Sequence, residues 1–84
     1  MKKAEVLAMV LSQAESLCEK TIHVMPETTL SGIVDSLGLV EFGLWAEDAF
    51  ALGENGYNAL KVTKEDDLQT VADKIYNQIG DTND

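Results

Sequence analysis

The sequence predicts an all-α fold: a small four-helix bundle with three main helices, one short helix and a long loop between helices 1 and 2. Three observations predict it. Apolar residues recur at helical spacing in three separate stretches. No stretch alternates apolar and polar residues convincingly enough to read as a half-buried strand. The chain has 84 residues, which is one domain's worth: room for one modest core and too little for a deep enzyme cleft.

The first helix is expected from Ala4 to about Glu19. Leu7, Val10, Leu11, Ala14, Leu17 and Cys18 repeat at helical spacing, and Val6 and Met9 widen the apolar stripe. Cys18 is the lone cysteine, so it has no internal disulfide partner and supports no cysteine-based metal framework. Its place on the stripe makes it a small buried hydrophobe rather than a reactive thiol. Residues 20–35 carry no sustained period and hold the only proline, Pro26. Thr28, Thr29, Ser31 and Gly32 mark a loop. Its apolar members Ile22, Val24, Leu30 and Ile33 are expected to pin it across a helix layer. Loops of this length in small domains are often functional. His23, the one histidine, lies in this loop and reads as a surface or packing residue, because no second histidine or cysteine pair accompanies it. No metal site is expected.

The second helix is expected from Leu37 to about Leu52, with Asp35 or Ser36 able to cap its start. Leu39, Phe42, Ala46, Ala49 and Phe50 have core spacing. A second apolar row, Leu37, Val40 and Leu44, follows at i, i+3 and i+7, and one helix of a small domain rarely buries both rows. Gly43 in the helix interior costs roughly 1 kcal/mol against alanine, so a tertiary contact must offset it. Gly53-Glu54-Asn55-Gly56-Tyr57-Asn58 reads as a turn-rich break, followed by possible anchors at Leu60 and Val62. Thr63-Lys64-Glu65-Asp66 fits a capped short helical turn. The last helix is expected from about Val71, or somewhat earlier, to Ile79, with Leu68, Val71, Ala72, Ile75 and Ile79 at helical spacing and Thr70 with Asp73 as a capping pair. Gly80 stops it. Residues 1–80 thus form a single domain, and 81–84 a frayed tail.

The net charge is −9 at pH 7, which argues against nucleic acid, because phosphate binding needs Lys and Arg. No Lys or Arg occurs between Lys20 and Lys61, while Glu27, Asp35, Glu41, Glu47, Asp48 and Glu54 lie in that interval. Such a surface steers basic partners toward it, or serves solubility alone. No apolar run approaches the roughly 20 residues that span a bilayer, so a membrane-embedded chain is not expected. Met1-Lys2-Lys3 is followed by Glu5, Ser12, Gln13 and Glu15 rather than an uncharged h-region, and the expected location is cytoplasmic.

The segment Gly32-Ile33-Val34-Asp35-Ser36-Leu37-Gly38 carries the functional signal. It sets a serine at a loop–helix junction, where free backbone N–H groups and the positive end of the helix dipole suit a phosphate. On position alone, a helix cap explains the serine better than a phosphate site does. Asp35-Ser36-Leu37, followed by Val40, Glu41, Glu47, Asp48 and Phe50, resembles the attachment site and second helix of acyl carrier proteins. The resemblance runs without a gap from Asp35 to Phe50. It extends more weakly to Met25-Pro26-Glu27-Thr28-Thr29-Leu30 and to Leu68-Gln69-Thr70-Val71-Ala72-Asp73.

The resemblance implies a carrier with no catalytic residues, acting with separate enzymes. A phosphopantetheinyl transferase would move 4′-phosphopantetheine from coenzyme A to Ser36, supported by Asp35, and the arm would hold acyl intermediates as thioesters. Leu37, Val40, Glu41, Leu44, Glu47 and Asp48 would contact acyl-loading, synthase or transferase enzymes that carry basic docking patches. A monomer is the family expectation. Fatty-acid, polyketide and related biosynthesis are the implied settings. An aminoacyl, D-alanyl or peptidyl carrier is the alternative, and an acidic helical interaction protein without a prosthetic group is a second one. Departures from the commonest fatty-acid carriers sit at Gly32, one residue early, at Gly38, at Gly43 and Trp45, and in the longer stretch from Ala51 to Asn58. For Gly43 and Trp45, compensating core packing is the preferred reading; the alternative is that Gly43 enlarges or reshapes the space between helices, with Trp45 packing over the lengthened loop near Tyr57.

Overall fold

Helical spacing in three stretches becomes three long helices. The structure is a computed structural model that describes residues 2–18 and 24–79. Helix α1 spans Lys3–Leu17, α2 Ser36–Ala49, α3 Gly56–Ala59 and α4 Leu68–Ile79, with a 3-10 turn at Leu30–Gly32. No strand occurs among the described residues; an isolated antiparallel bridge joins Thr29 and Asp67. The expected mostly helical domain, with four helices of which one is short, is what forms. His23, Ile22, Glu19, Gly80 and the tail 81–84 lie outside the described residues.

The core is apolar throughout. Val6, Val10, Leu30, Phe42, Leu68, Val71 and Ile75 are its largest fully buried side chains, and no polar or charged side chain is buried among the described residues. Each such burial contributes about 1.5–3 kcal/mol. Helix α1 lies chiefly on α4 and touches α2, which in turn packs on α3. The line that α1 buries is Val6, Val10 and Ala14, at i, i+4 and i+8. Leu7, Leu11, Leu17 and Cys18 are only partly buried along its edge. Val6 is therefore central to the stripe rather than a widening of it. Helix α1 ends two residues before Glu19, with the Cys18 N–H closing on the Ala14 carbonyl at 3.0 Å.

The long loop is held by backbone hydrogen bonds to the segment ahead of α4. Leu30 N–H donates to the Asp66 carbonyl at 3.1 Å and Ser31 N–H to that of Lys64 at 3.0 Å. In return Leu68 N–H reaches Thr28 at 3.0 Å and Gln69 N–H reaches Pro26 at 2.8 Å. Val24, Leu30 and Ile33 are buried beneath it, as their apolarity predicts. This lacing fixes where the chain enters α2.

Three boundaries differ from the sequence expectation. Helix α2 starts at Ser36 and ends at Ala49; Ala51 has φ 53°, a left-handed conformation that cannot continue a helix. The short helix lies at Gly56–Ala59, inside the stretch read as a break, because Tyr57 N–H donates to a Glu47 carboxylate oxygen at 3.1 Å. Residues 63–66 form instead a single turn in which Thr63 N–H donates to Asp66 Oδ2 at 3.0 Å. Helix α4 starts at Leu68, capped by Asp67, whose Oδ1 accepts the Thr70 N–H at 2.7 Å. Asp73 therefore has no capping role: it accepts from Gln69 Nε2 at 3.1 Å and pairs with Lys3 at 3.3 Å.

Candidate functional site around Ser36

Two residues could cap α2, and the structure divides the roles between them. Asp35 is the N-cap: it is extended, and its Oδ1 accepts the Gly38 N–H at 2.9 Å. Its carbonyl accepts the Leu39 N–H at 3.0 Å. Ser36 is the first helical residue and is exposed. Its hydroxyl makes no hydrogen bond among the described residues, and the N–H groups of Ser36 and Leu37 are likewise unclaimed there. The serine is thus not needed for the cap. Its oxygen stands free at the positive end of a helix dipole, beside two backbone donors.

Gly38 is required by the packing of the junction. A β-carbon there would lie 2.7 Å from Cβ of Val34 and 3.1 Å from its Cγ1. A hollow of about 320 Å³ lies beside the junction, lined by Leu17, Ile33, Val34, Leu37 and Gly38 together with Asp35 and Glu41.

The second apolar row of α2 is unburied. Leu37 is 67% exposed, Val40 59% and Leu44 62%. Helical geometry puts Glu41 and Asp48 on the same face, and both are exposed. Glu47 is different. It is half-buried, and its carboxylate holds the N–H of Tyr57, so part of its hydrogen-bonding capacity is spent inside the fold. Met25, on the loop, adds a further exposed apolar side chain, an exposure that the sequence did not indicate.

Of the two readings of Gly43 and Trp45, compensating packing is the one that forms, and the placement of Trp45 over the loop is not. Gly43 is buried, but the room it leaves is taken by the Tyr57 ring: a β-carbon at Gly43 would lie 2.8 Å from Tyr57 Cδ2. Trp45 does not cover the loop beside Tyr57. Its ring lies 5.3 Å from Phe42 and 5.4 Å from Phe50, centroid to centroid, and it lines a hollow with Ala8, Met9, Ser12 and Gln13 of α1. Two positions after Gly43, it faces another side of the helix. A glycine inside a helix signals a close neighbour, and it drew attention to this spot. The identity of that neighbour, 14 residues on, was not readable from spacing.

Around α3, burial, followed by the Asp66 charge, pushes the Tyr57 phenol far above its ordinary value. Asp66 is held below the usual carboxylate range, first by its hydrogen bond from Lys74 at 2.7 Å and further by the Thr63 N–H. Lys74 also donates to the Lys61 carbonyl at 3.0 Å. It clasps the 61–66 segment to α4. No helix among the described residues is long and apolar enough to cross a membrane.

The chain matches no family model, no curated protein and no solved structure at a significant level.

Proposed function

We propose that the chain is a carrier protein that holds acyl-type intermediates as thioesters on a 4′-phosphopantetheine arm attached to Ser36. One observation carries the reading. Asp35 does the capping, and Ser36 stands exposed at the first position of α2 with a hydroxyl that makes no hydrogen bond among the described residues. A serine kept only as a cap would have its oxygen on a backbone N–H. The surroundings fit a phosphodiester: the N–H groups of Ser36 and Leu37 and the helix dipole favour negative charge there.

Attachment is a group transfer done by a separate transferase. Ser36 Oγ attacks the pyrophosphate phosphorus that bears the pantetheine half of coenzyme A. The new O–P bond forms, the bridging P–O bond breaks, adenosine bisphosphate leaves, and the hydroxyl proton passes to a base on the transferase. When bound, the group supplies a terminal thiol that carries the acyl chain. Asp35 fixes the backbone on which Ser36 is presented. Leu37, Val40 and Leu44 form an exposed apolar strip flanked by Glu41 and Asp48. A partner enzyme with an apolar contact ringed by Lys and Arg is complementary to it.

Intact-mass measurement after incubation with coenzyme A and a broad-specificity transferase tests the reading. The expected result is a gain of one phosphopantetheine, abolished by Ser36→Ala. A well-folded protein that gains no mass overturns it and leaves an acidic helical interaction protein as the better account of the same strip.

A further inference from the structure

We propose that the hollow between the end of α1 and the head of α2 is the resting site of the pantetheine arm, and that it takes the half of the arm nearest Ser36. This inference rests on the carrier reading and adds where the arm lies. The tether selects the hollow. Asp35 and Leu37, the two residues that flank Ser36, both line it. A second hollow beside α2, of about 310 Å³, has neither of them on its walls. Gly43, which lines that second hollow, stands seven residues beyond Ser36, about 10 Å along the helix axis. The start of an arm leaving Ser36 therefore meets the first hollow before the second.

The chemistry matches as well. Beyond its phosphate the arm presents a carbon with two methyl groups, then a hydroxyl, then an amide N–H. Leu17, Ile33, Val34 and Leu37 offer the methyl groups an apolar wall away from water. Asp35 and Glu41 offer carboxylate oxygens to the hydroxyl and the N–H. One oxygen of Asp35 holds the Gly38 N–H; the other, like both of Glu41, makes no hydrogen bond among the described residues. The same carboxylates repel a phosphate, which leaves it at the mouth, on the N–H groups of the helix end. At about 320 Å³ the hollow falls within the range of small-molecule sites, about 300–1,000 Å³. Its walls are set in advance. The N–H groups of Ile33 and Val34 both donate to the Leu30 carbonyl, at 3.1 and 3.0 Å, and Val34 is packed against Gly38. Leu17 belongs to α1, 19 residues before the tether, so contact with it reports the hollow and not mere attachment.

The test converts the full chain, labelled with ¹³C and ¹⁵N, using unlabelled coenzyme A and the broad-specificity transferase, with mass confirming the loading. Isotope-filtered nuclear Overhauser spectra then show which labelled side chains lie near the unlabelled arm. The arm's two methyl groups are expected to contact the methyl groups of Leu17 and Ile33. The loaded protein is expected to melt above the unloaded one by about 4 °C or more, the shift that burying one or two methyl groups makes in a domain of this length. Leu17→Ala is expected to lose that gain, each form being compared within the same variant. Arm methyl groups that contact Leu39, Leu44 or Tyr57 instead, or no side chain at all, overturn the inference and leave the carrier reading intact. So does a wild type that gains nothing on loading, or a Leu17→Ala protein that keeps the full gain. Should Leu17→Ala not fold, the contacts in the wild type decide. A folded wild type that does not load overturns the carrier reading and this inference with it.

Discussion

Replacing Asp35 by alanine separates the two residues at the head of α2 more sharply than any other change. The substitution removes the acceptor of the Gly38 N–H, a 2.9 Å bond, and loss of such a cap costs about 1 kcal/mol, with a range of roughly 0.5–2. It also removes a negative charge from the positive end of the dipole, worth about 0.3–1 kcal/mol at an exposed site. Together these come to roughly 1–3 kcal/mol. In a domain of this size each kcal/mol lowers the melting temperature by about 4–8 °C. Asp35→Asn keeps an oxygen for Gly38 and loses only the charge, so its cost is expected to be the smaller part. Ser36→Ala touches neither contact. It is exposed, makes no bond among the described residues, and is expected within about 0.5 kcal/mol of wild type. Urea unfolding followed by far-UV circular dichroism gives all three values, with an unchanged dependence on denaturant showing that the same surface is exposed in each. The reasoning fails if Ser36→Ala costs as much as Asp35→Ala. The serine would then be a cap, and the free hydroxyl on which the carrier reading rests would not exist in solution.

Two further outcomes are expected. Gly38→Ala gains up to about 1 kcal/mol of helix propensity but sets a β-carbon 2.7 Å from Cβ of Val34. Overpacking of this kind costs about 1–3 kcal/mol, and a Cβ cannot swing aside, so a net loss is expected; a variant more stable than wild type would refute the contact. Stability is expected to fall on the acid side through Asp66 and Asp67. Both carboxyls are lowered in the fold, Asp66 chiefly by its hydrogen bond from Lys74 and Asp67 by hydrogen bonding with Thr70. A depressed folded value means that their contribution is present above the unfolded value of about 3.9. It is then lost as pH falls through the folded values. Lys74→Met removes the largest cause for Asp66, so its unfolding midpoint should depend less steeply on pH below about 4; an identical acid limb would show that the pair contributes nothing.

Much of the fold was legible because the core is apolar and periodic. The loop anchors Val24, Leu30 and Ile33 stood out as isolated apolar residues among turn formers, and all are buried. What misled was local capping chemistry. Thr70 and Asp73 look like a cap pair, yet Asp67 takes that place, because Leu68 is drawn into the core three residues ahead of Val71. The stretch 53–58 reads as a turn in isolation. Its Gly56 and Tyr57 become helical where the turn meets Glu47 and Gly43 of α2.

At the site the division is similar. Sequence by itself determined that a serine follows an aspartate at the start of an acidic helix with two apolar rows, and that one row has no place in a small core. Both follow from spacing and composition, which need no knowledge of neighbours. Only the tertiary structure decided that Asp35 rather than Ser36 satisfies the helix end, and that a tyrosine 14 residues away packs against Gly43. Those outcomes depend on how segments distant in the chain meet. Close packing leaves room for one of them at each place, and no local pattern records which one arrives.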